Sequence, residues 1–293
     1  MVGVLGRLVR PMLARTSERA FDSPRHWFEV KWDGYRCLAF VENGVMRLQS
    51  RNLRDLTSFY PELAPLPGWV RAREAILDGE LVAMRGARPD FGALQDRQGP
   101  VVYVVFDLLH RDGRDLMAES LEARREALRE VVPACGTSLV FSEHVVGQGL
   151  ALYRAVTDRG LEGIVAKEVA SPYLPGERSR YWLKVRHRKV LEATIVGYTG
   201  IHPRYPRSLV LAVAGGDGLS YIGRVGTGYS GAEGEDLVRR LRLRADSPLA
   251  DSGRVPGPVR WVEPGLRCRV EYTELTAEGL LRQPVYRGLV GGC

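Results

Sequence analysis

The chain is organised around one stretch, Glu29-Val30-Lys31-Trp32-Asp33-Gly34-Tyr35-Arg36. Only four of the 42 basic residues are lysines, and Lys31 is one of them. An arginine keeps its proton in a protein, whereas a lysine can become neutral through burial or a neighbouring positive charge, and only a neutral amine attacks an electrophile. Lys31 is therefore a candidate nucleophile. Taken alone it could equally be an ordinary surface charge on a strand, because short motifs often match by chance.

Length, charge and cysteine spacing limit the classes of protein to consider. A chain of 293 residues suits two domains of roughly 100–200 residues each. A net charge of +7 and a pI of 9.4 favour a polyanionic partner such as nucleic acid. The cysteines form no CxxC pair, which argues against a zinc ribbon or a dense disulfide framework; they are Cys37, Cys135, Cys268 and Cys293.

Membrane and export signals are not expected. Nowhere do about 18 apolar residues run together, as a membrane-spanning helix requires. The segment Met1 to Arg15 mixes apolar residues with arginines and lacks the apolar core of a signal peptide. We therefore expect a cytoplasmic protein that does not contact membranes.

A β-hairpin is predicted directly after the Lys31 stretch. Its two apolar-rich runs, Arg36 to Val41 and Val45 to Gln49, are joined by Asn43-Gly44, a dipeptide suited to the positive φ angles of a tight turn. We further expect the first strand to lead in from Trp27. The period of two along a strand would then place three side chains on one face: Glu29, Lys31 and Asp33.

Strands and helices are expected to continue to about residue 187. The helix Leu121–Val131, capped by Ser120, is predicted to bury its apolar side and to carry its arginines on the other. A second helix is expected at Leu150 to Arg159, ended by Gly160. The predicted strands are Ala75 to Met84, Val101 to Leu109, Glu162 to Lys167 and Arg178 to Arg186.

The last third of the chain has a different pattern of predicted secondary structure. A single helix, Ala232 to Leu243, interrupts five short β runs: Ala193 to Tyr198, Ser208 to Ala214, Leu219 to Val225, Val259 to Val262 and Arg267 to Leu275. This pattern predicts a small barrel of the OB type. The fold class is thus α+β, with one domain at 1–188 and an OB-fold domain at 189–293.

The residue types match the needs of phosphoryl transfer, which requires a positioned nucleophile, cations for the phosphates and carboxylates for a divalent metal. Lys31-Trp32-Asp33-Gly34-Tyr35-Arg36 fits the KxDGxR signature of covalent nucleotidyltransferases, and the later segments follow in that family's order. The whole chain resembles the ATP-dependent DNA ligases, and it is similar to the compact bacterial end-joining ligases and their stand-alone relatives. Tyr221 to Gly228 and Leu281 to Pro284 resemble the barrel domain of those enzymes.

The resemblance implies an adenylation domain of antiparallel sheets with flanking helices, followed by the OB-fold barrel. It also implies a reaction in three steps: formation of lysyl-AMP from ATP, transfer of AMP to a 5′-phosphate at a nick, and attack by the 3′-hydroxyl. The implied cofactors are ATP and Mg²⁺ or Mn²⁺.

Residue roles follow from the resemblance. Lys31, Asp33 and Lys184 would be catalytic. Glu29 would accept a hydrogen bond from the adenine amino group, and Phe106 and Val165 would pack against the two faces of the base. The further nucleotide-binding residues would be Val30, Arg36, Glu80, Lys167, Lys184 and Arg186. Metal would bind Glu80 and Glu162, DNA would bind Arg51, Arg178 and Arg180, and Arg282 would orient pyrophosphate.

The implied partners are nicked double-stranded DNA and a DNA-end-binding protein, and we expect a monomer at the bacterial nucleoid. The alternatives are an RNA or polynucleotide ligase, a capping guanylyltransferase, and a non-catalytic nucleic-acid-binding relic of the fold. Trp182, in the basic run that follows Arg178, could contact nucleic acid or belong to the core. Two departures from the family pattern are Arg186, where lysine is common, and Leu289-Val290, where relatives often carry arginine.

Overall fold

The structure is a computed structural model that describes residues 3–86, 88–133, 136, 138–202, 205–216, 218–276 and 278–291, without the side chains of 201 and 202. Contacts between Cα atoms divide the chain into two compact units, Met1–His187 and Arg188–Cys293. No helix in the described ranges is both long and apolar enough to cross a membrane.

A seven-stranded sheet forms one half of the first unit. Its strands are Tyr35–Glu42, Val45–Ser50, Glu74–Arg85, Arg88–Pro89, Val101–Arg111, Arg114–Asp115 and Leu139–Phe141. All pairings are antiparallel except that of Leu139–Phe141 with Val101–Arg111. The predicted hairpin is confirmed, with Asn43 at φ 50° and Gly44 at φ 81° in its turn.

A five-stranded sheet forms the other half. Its strands, in spatial order, are Leu13–Thr16, Arg178–Arg186, Gly163–Glu168, Ser23–Val30 and His144–Gly147. The predicted entry of the hairpin strand from Trp27 is wrong, because the strand that contains Trp27 ends at Val30 and belongs to this sheet. Residues 31–34 cross between the two sheets, and the next strand begins at Tyr35. Gly34 is required at the crossing, since a Cβ there would lie 2.0 Å from the Leu81 carbonyl oxygen.

Helices cover the sheets at few places. The α-helices are Phe91–Gln95, Leu121–Val131, Gly149–Asp158 and Gly231–Arg240, and the 3₁₀ turns are Val4–Gly6, Thr57–Phe59, Pro61–Leu63, Leu66–Trp69 and Ser252–Arg254. The Ser120 cap is confirmed, since its hydroxyl accepts a hydrogen bond from the Ala123 amide. The prediction that the helix keeps its arginines on an outer face is wrong for Arg124 and Arg125, which are fully buried. Both guanidinium groups bind acceptors beneath the helix.

The second unit contains one six-stranded antiparallel sheet, with strands Lys189–His202, Tyr205–Gly215, Gly218–Val225, Arg260–Trp261, Arg267–Tyr272 and Val285–Leu289. The last strand was not predicted. The helix Gly231–Arg240 ends three residues before the predicted Leu243. Ser230 and Glu233 form a capping box at its start. The core of this unit is an apolar cluster that includes Ile195 and Leu211.

Two of the four cysteines can be assessed. Cys37 and Cys268 are buried and form no disulfide. Cys135 and Cys293 lie outside the described residues. Burial raises the pKa of the Cys268 thiol to about 12, so this side chain behaves as a small apolar residue of the core.

Candidate active site

A pocket of about 190 Å³ in the first unit brings the predicted nucleotide-binding residues together. Every one of them lines it, and so do Lys31 and the predicted DNA-binding residues Arg51 and Arg178. The pocket draws on strands from both sheets of the unit. Residues far apart in the sequence therefore share one space, as the family pattern requires.

Lys31 is held at the crossing between the sheets. Its amide donates a hydrogen bond to the Gly163 carbonyl, 2.9 Å away. Its ammonium group contacts the Glu162 carboxylate, and its side chain is 19% exposed. Arg186 Nε donates to the other Glu162 oxygen at 3.1 Å. Glu162 thus bridges the two cations, and Lys31 lines the pocket.

Two titratable groups near Lys31 have shifted pKa values. The pKa of Lys184 is lowered to about 8 by burial and by the positive charges of Arg186, Lys31 and Arg178. The pKa of Glu80 is raised to about 7, chiefly by burial, although Arg36 and Lys31 oppose the shift. Such shifts are common at catalytic sites, where ionisation is tuned by burial and by neighbouring charges.

A divalent cation would be offered the carboxylate of Glu80, which lines the pocket, and that of Glu162, whose two oxygens contact Lys31 and Arg186. Within the described ranges no group of three or more Asp, Glu, His or Cys side chains could hold a metal. The protein would therefore supply part of an oxygen shell, and phosphate oxygens and water would complete it, which is how Mg²⁺ is usually bound beside nucleotides. The raised pKa of Glu80, to which the Glu162 charge contributes, fits a site where a cation would relieve repulsion between carboxylates.

The residues predicted to bind the base contact positively charged side chains of the protein. Lys167 Nζ lies 2.9 Å from Glu29 Oε2 and 4.2 Å from the centre of the Phe106 ring. Arg36 Cζ lies 4.6 Å from the same ring centre. Trp182 is 1% exposed and packs edge-on against Phe106, which assigns it to the core, although its ring also reaches the pocket wall.

Sequence reasoning missed Asp78 and Tyr173. Asp78 is fully buried and accepts two hydrogen bonds of 2.6 Å from Arg36 and a third of 2.6 Å from the Tyr173 hydroxyl. That hydroxyl in turn accepts a bond from the Met12 amide. The sequence feature that could have identified Asp78 is an aspartate at a buried position of an apolar strand. Asp107, the other such aspartate, is fully buried and binds Arg124.

The remaining predicted residues lie around or away from the pocket. Asp33 is half-buried at the crossing between the sheets, and Glu162 contacts the ammonium group of Lys31. Arg51 also lines a neighbouring groove of about 590 Å³ together with Arg54 and Arg97. Arg180 is exposed beside Tyr181. Arg282 belongs to the second unit, where its guanidinium contacts Glu274.

Comparisons with known proteins agree on one family. The profile of the ATP dependent DNA ligase domain matches residues 11–186, and that of the ATP dependent DNA ligase C terminal region matches residues 203–290. DNA ligase C1 of Mycolicibacterium smegmatis is 30% identical over 304 residues, which cover 91% of this chain and 84% of that protein.

A longer relative is also similar. The multifunctional non-homologous end joining DNA repair protein LigD of Mycobacterium tuberculosis H37Rv is 37% identical over 293 residues, which cover 95% of this chain. The chain spans 38% of the length of that relative.

Solved structures agree with this result. The chain matches a mycobacterial DNA ligase D complexed with ATP and MES at a TM-score of 0.61 and 35% identity, over 96% of this chain and 95% of the other. The predicted fold class, an adenylation domain followed by an OB-fold domain, is confirmed. This chain belongs to the ATP-dependent DNA ligase family.

Proposed function

We propose that the chain seals nicks in double-stranded DNA by carrying AMP on Lys31. The observation that supports this most directly is that the partly exposed side chain of Lys31 lines a pocket whose wall also carries Lys184 and Arg186. In the first step Lys31 Nζ forms a bond to the α-phosphorus of ATP and loses a proton. The bond from that phosphorus to the bridging oxygen breaks, and pyrophosphate leaves. The positive charges of Lys184 and Arg186 stabilise the charge that develops on the phosphates.

The base and sugar are bound on the other side of the pocket. Glu29 accepts a hydrogen bond from the adenine amino group, Glu80 binds the ribose, and the base stacks between Phe106 and Val165. Because Lys167 and Arg36 both lie against the Phe106 ring, stacking of adenine displaces one of these cations. Val30 and Arg36 complete the contacts with the nucleotide.

The divalent cation, Mg²⁺ or Mn²⁺, would be held by Glu80 and Glu162, with phosphate oxygens completing its ligands. When bound, it neutralises phosphate charge. The residues of the chain do the rest: Glu162 contacts the Lys31 amine, and Lys184 and Arg186 supply positive charge for the phosphates.

The two later steps use DNA. An oxygen of the 5′-phosphate attacks the phosphorus of lysyl-AMP, which releases Lys31 and leaves the DNA end adenylated. The 3′-hydroxyl then attacks that end, forms the phosphodiester and releases AMP. We propose that Arg51, Arg178 and Arg180 bind the DNA, that Asp33 acts near the 3′-hydroxyl and that Arg282 orients pyrophosphate. The adenylation domain is residues 1–188 and the OB-fold domain residues 189–293 in this proposal.

The biological setting is proposed from the relatives. LigD is named for non-homologous end joining and is multifunctional, and this chain corresponds to a part of it. We propose that the chain acts in end joining in the bacterial cytoplasm, at the nucleoid, as a monomer that meets its nicked DNA with the help of a DNA-end-binding protein.

The first test is incubation with α-labelled ATP and Mg²⁺ or Mn²⁺. We expect label on the protein, and we expect Lys31→Ala to abolish it because the attacking nitrogen is gone. Lys189→Ala is the matched control: Lys189 is exposed and outside the pocket, so its variant takes up label as the wild type does. Absence of label on the wild type with either metal contradicts the proposal.

The second test follows the label to nucleic acid. Nicked duplexes with a 5′-phosphate and a deoxyribose 3′ end are compared with duplexes that carry a ribose 3′ end. Sealing of the deoxyribose nick supports the proposal, whereas sealing confined to the ribose nick identifies an RNA ligase.

A further inference from the structure

We infer that Arg125 and Ser142 are positioning residues that fix Glu29 and Phe106 for recognition of adenine. The inference rests on the proposed function, because it concerns the two residues proposed to bind the base. Neither Arg125 nor Ser142 lines the pocket, and both are fully buried. They act through the residues that they contact.

Arg125 joins the two base-binding residues through one guanidinium group. Its Nη1 atom donates a hydrogen bond of 2.9 Å to the Phe106 carbonyl and lies 3.7 Å from Glu29 Oε1. Phe106 belongs to the seven-stranded sheet and Glu29 to the five-stranded sheet. A guanidinium group is planar and its donors have a fixed geometry. The stacking residue and the carboxylate are therefore held at a set separation.

Ser142 extends the same network to the edge of the base site. Arg125 Nη2 donates to the Ser142 carbonyl at 2.5 Å and lies 3.4 Å from His144 Nδ1. The Ser142 hydroxyl donates to Glu29 Oε2 at 3.2 Å and accepts from Trp32 Nε1 at 3.1 Å. Trp32 directly follows Lys31, so the network also reaches the residue next to the nucleophile.

These contacts leave one oxygen of Glu29, Oε1, able to accept a hydrogen bond from the ligand. Oε2 accepts hydrogen bonds from Ser142 and from Lys167, the latter at 2.9 Å. Oε1 makes no hydrogen bond within the described part of the chain, and its ion-pair partners Lys167 Nζ and Arg125 Nη1 lie 2.9 and 3.7 Å away. A buried carboxylate oxygen of this kind suits an N–H donor. The exocyclic amine of adenine donates, whereas the keto oxygen of hypoxanthine cannot.

The neighbouring Arg124 provides a control for this inference, because it is equally buried but contacts other residues. It is on the same helix and also fully buried. Its guanidinium donates to Asp107 at 2.8 and 2.9 Å and to the carbonyls of Glu119 and Ser171. None of these acceptors is a pocket residue. Replacing Arg124 should therefore change the stability of the fold without changing the preference for ATP over inosine triphosphate.

The experiment compares labelling by ATP with labelling by inosine triphosphate, as the ratio of the two kcat/KM values for formation of labelled protein. The variants are Ser142→Ala, Ser142→Thr, Arg125→Lys and Arg124→Lys, and thermal unfolding is measured for each. We expect Ser142→Ala and Arg125→Lys to lower the preference for ATP about tenfold, the size of effect expected for a hydrogen bond to a charged group. Ser142→Thr keeps the hydroxyl and restores the preference, and Arg124→Lys retains it.

Equal losses with the two nucleotides in Ser142→Ala and Arg125→Lys would overturn the inference, since a structural role alone lowers both rates together. A wild type that takes label equally from both nucleotides would also overturn it. If Arg125→Lys does not fold, the pair Ser142→Ala and Ser142→Thr decides. A wild type that takes no label from ATP refutes the proposed function itself, which is a different result from labelled variants with an unchanged preference.

Discussion

The two units bury polar groups to very different extents. Across the described residues, every buried polar or charged residue lies in the first unit: Glu29, Gln49, Asp78, Asp107, His110, Arg124, Arg125, Ser142, Lys167, Ser171 and Ser179. The second unit has an apolar core, and its arginines and carboxylates pair nearer the surface. Burying charge is costly unless partners compensate for the lost hydration. Two of these residues, Glu29 and Lys167, line the pocket, and Asp78 and Arg125 contact residues that line it, so ligand chemistry as well as stability shapes this region.

The largest expected effect comes from breaking a buried ion pair in the first unit. Arg124→Met leaves the Asp107 carboxylate buried without its partner, which should cost about 3–5 kcal/mol of unfolding free energy. The matched change in the second unit is Arg267→Met, whose pair with Glu192 is at the surface and should contribute less than about 1 kcal/mol. Urea unfolding of both variants measures the difference. Equal costs would contradict the contrast between the units.

A smaller effect concerns pH and the raised pKa of Glu80. Burial raises this pKa from 4.5 to about 7, so the folded state binds the proton more tightly than the unfolded state. The resulting stability is fully present below about pH 4.5 and is lost as pH rises through about 7. We expect Glu80→Gln to reduce this loss by about 1–3 kcal/mol in chelator-treated buffer.

The control for this prediction is Glu192→Gln, because Glu192 is in the second unit and its side chain is 36% exposed. Its stability profile between pH 4.5 and pH 7 is measured in the same buffer, which separates the loss specific to Glu80 from the general effect of removing one carboxylate. A profile of Glu80→Gln that cannot be distinguished from the wild type would show that Glu80 titrates in the folded protein much as it does in the unfolded chain.

The smallest expected effect concerns the N-terminal caps of one helix in each unit and tests whether the two caps stabilise the protein equally. Ser230→Ala removes the capping box of the helix Gly231–Arg240 and should cost about 1 kcal/mol. Ser120→Ala removes the single cap of the helix Leu121–Val131 and should cost a similar amount. Chemical denaturation followed by circular dichroism gives both values. A several-fold larger cost for Ser120 would mean that its cap also holds the buried arginines in place.

The local elements could be read from the sequence because their signals are local. Asn43-Gly44 specifies its own turn, and Ser120 specifies the start of its helix. The strand Val285–Leu289 was missed because it is short and contains Gly288, so that neither its length nor its composition marks it.

The long-range features could not be read in this way. Alternation along Glu29, Lys31 and Asp33 fits one continuous strand, whereas the strand ends at Val30 and the chain then passes close to the Leu81 carbonyl at Gly34, a contact that is distant in the sequence. Arg125 likewise looks like a solvent-facing helix residue until its acceptors on three other segments are known. The pocket residues were predicted through their family pattern, and their individual roles stay predictions.

The scarcity of lysine has a practical consequence, since three of the four lysines line one pocket: Lys31, Lys167 and Lys184. A protease specific for lysine has four cleavage sites in the whole chain. AMP on Lys31 would block the first, so that the peptides 1–31 and 32–167 would appear as one peptide, 1–167, heavier by one adenylate. A peptide map by mass spectrometry could thus assign the site of modification and measure the fraction of molecules already charged with AMP after purification.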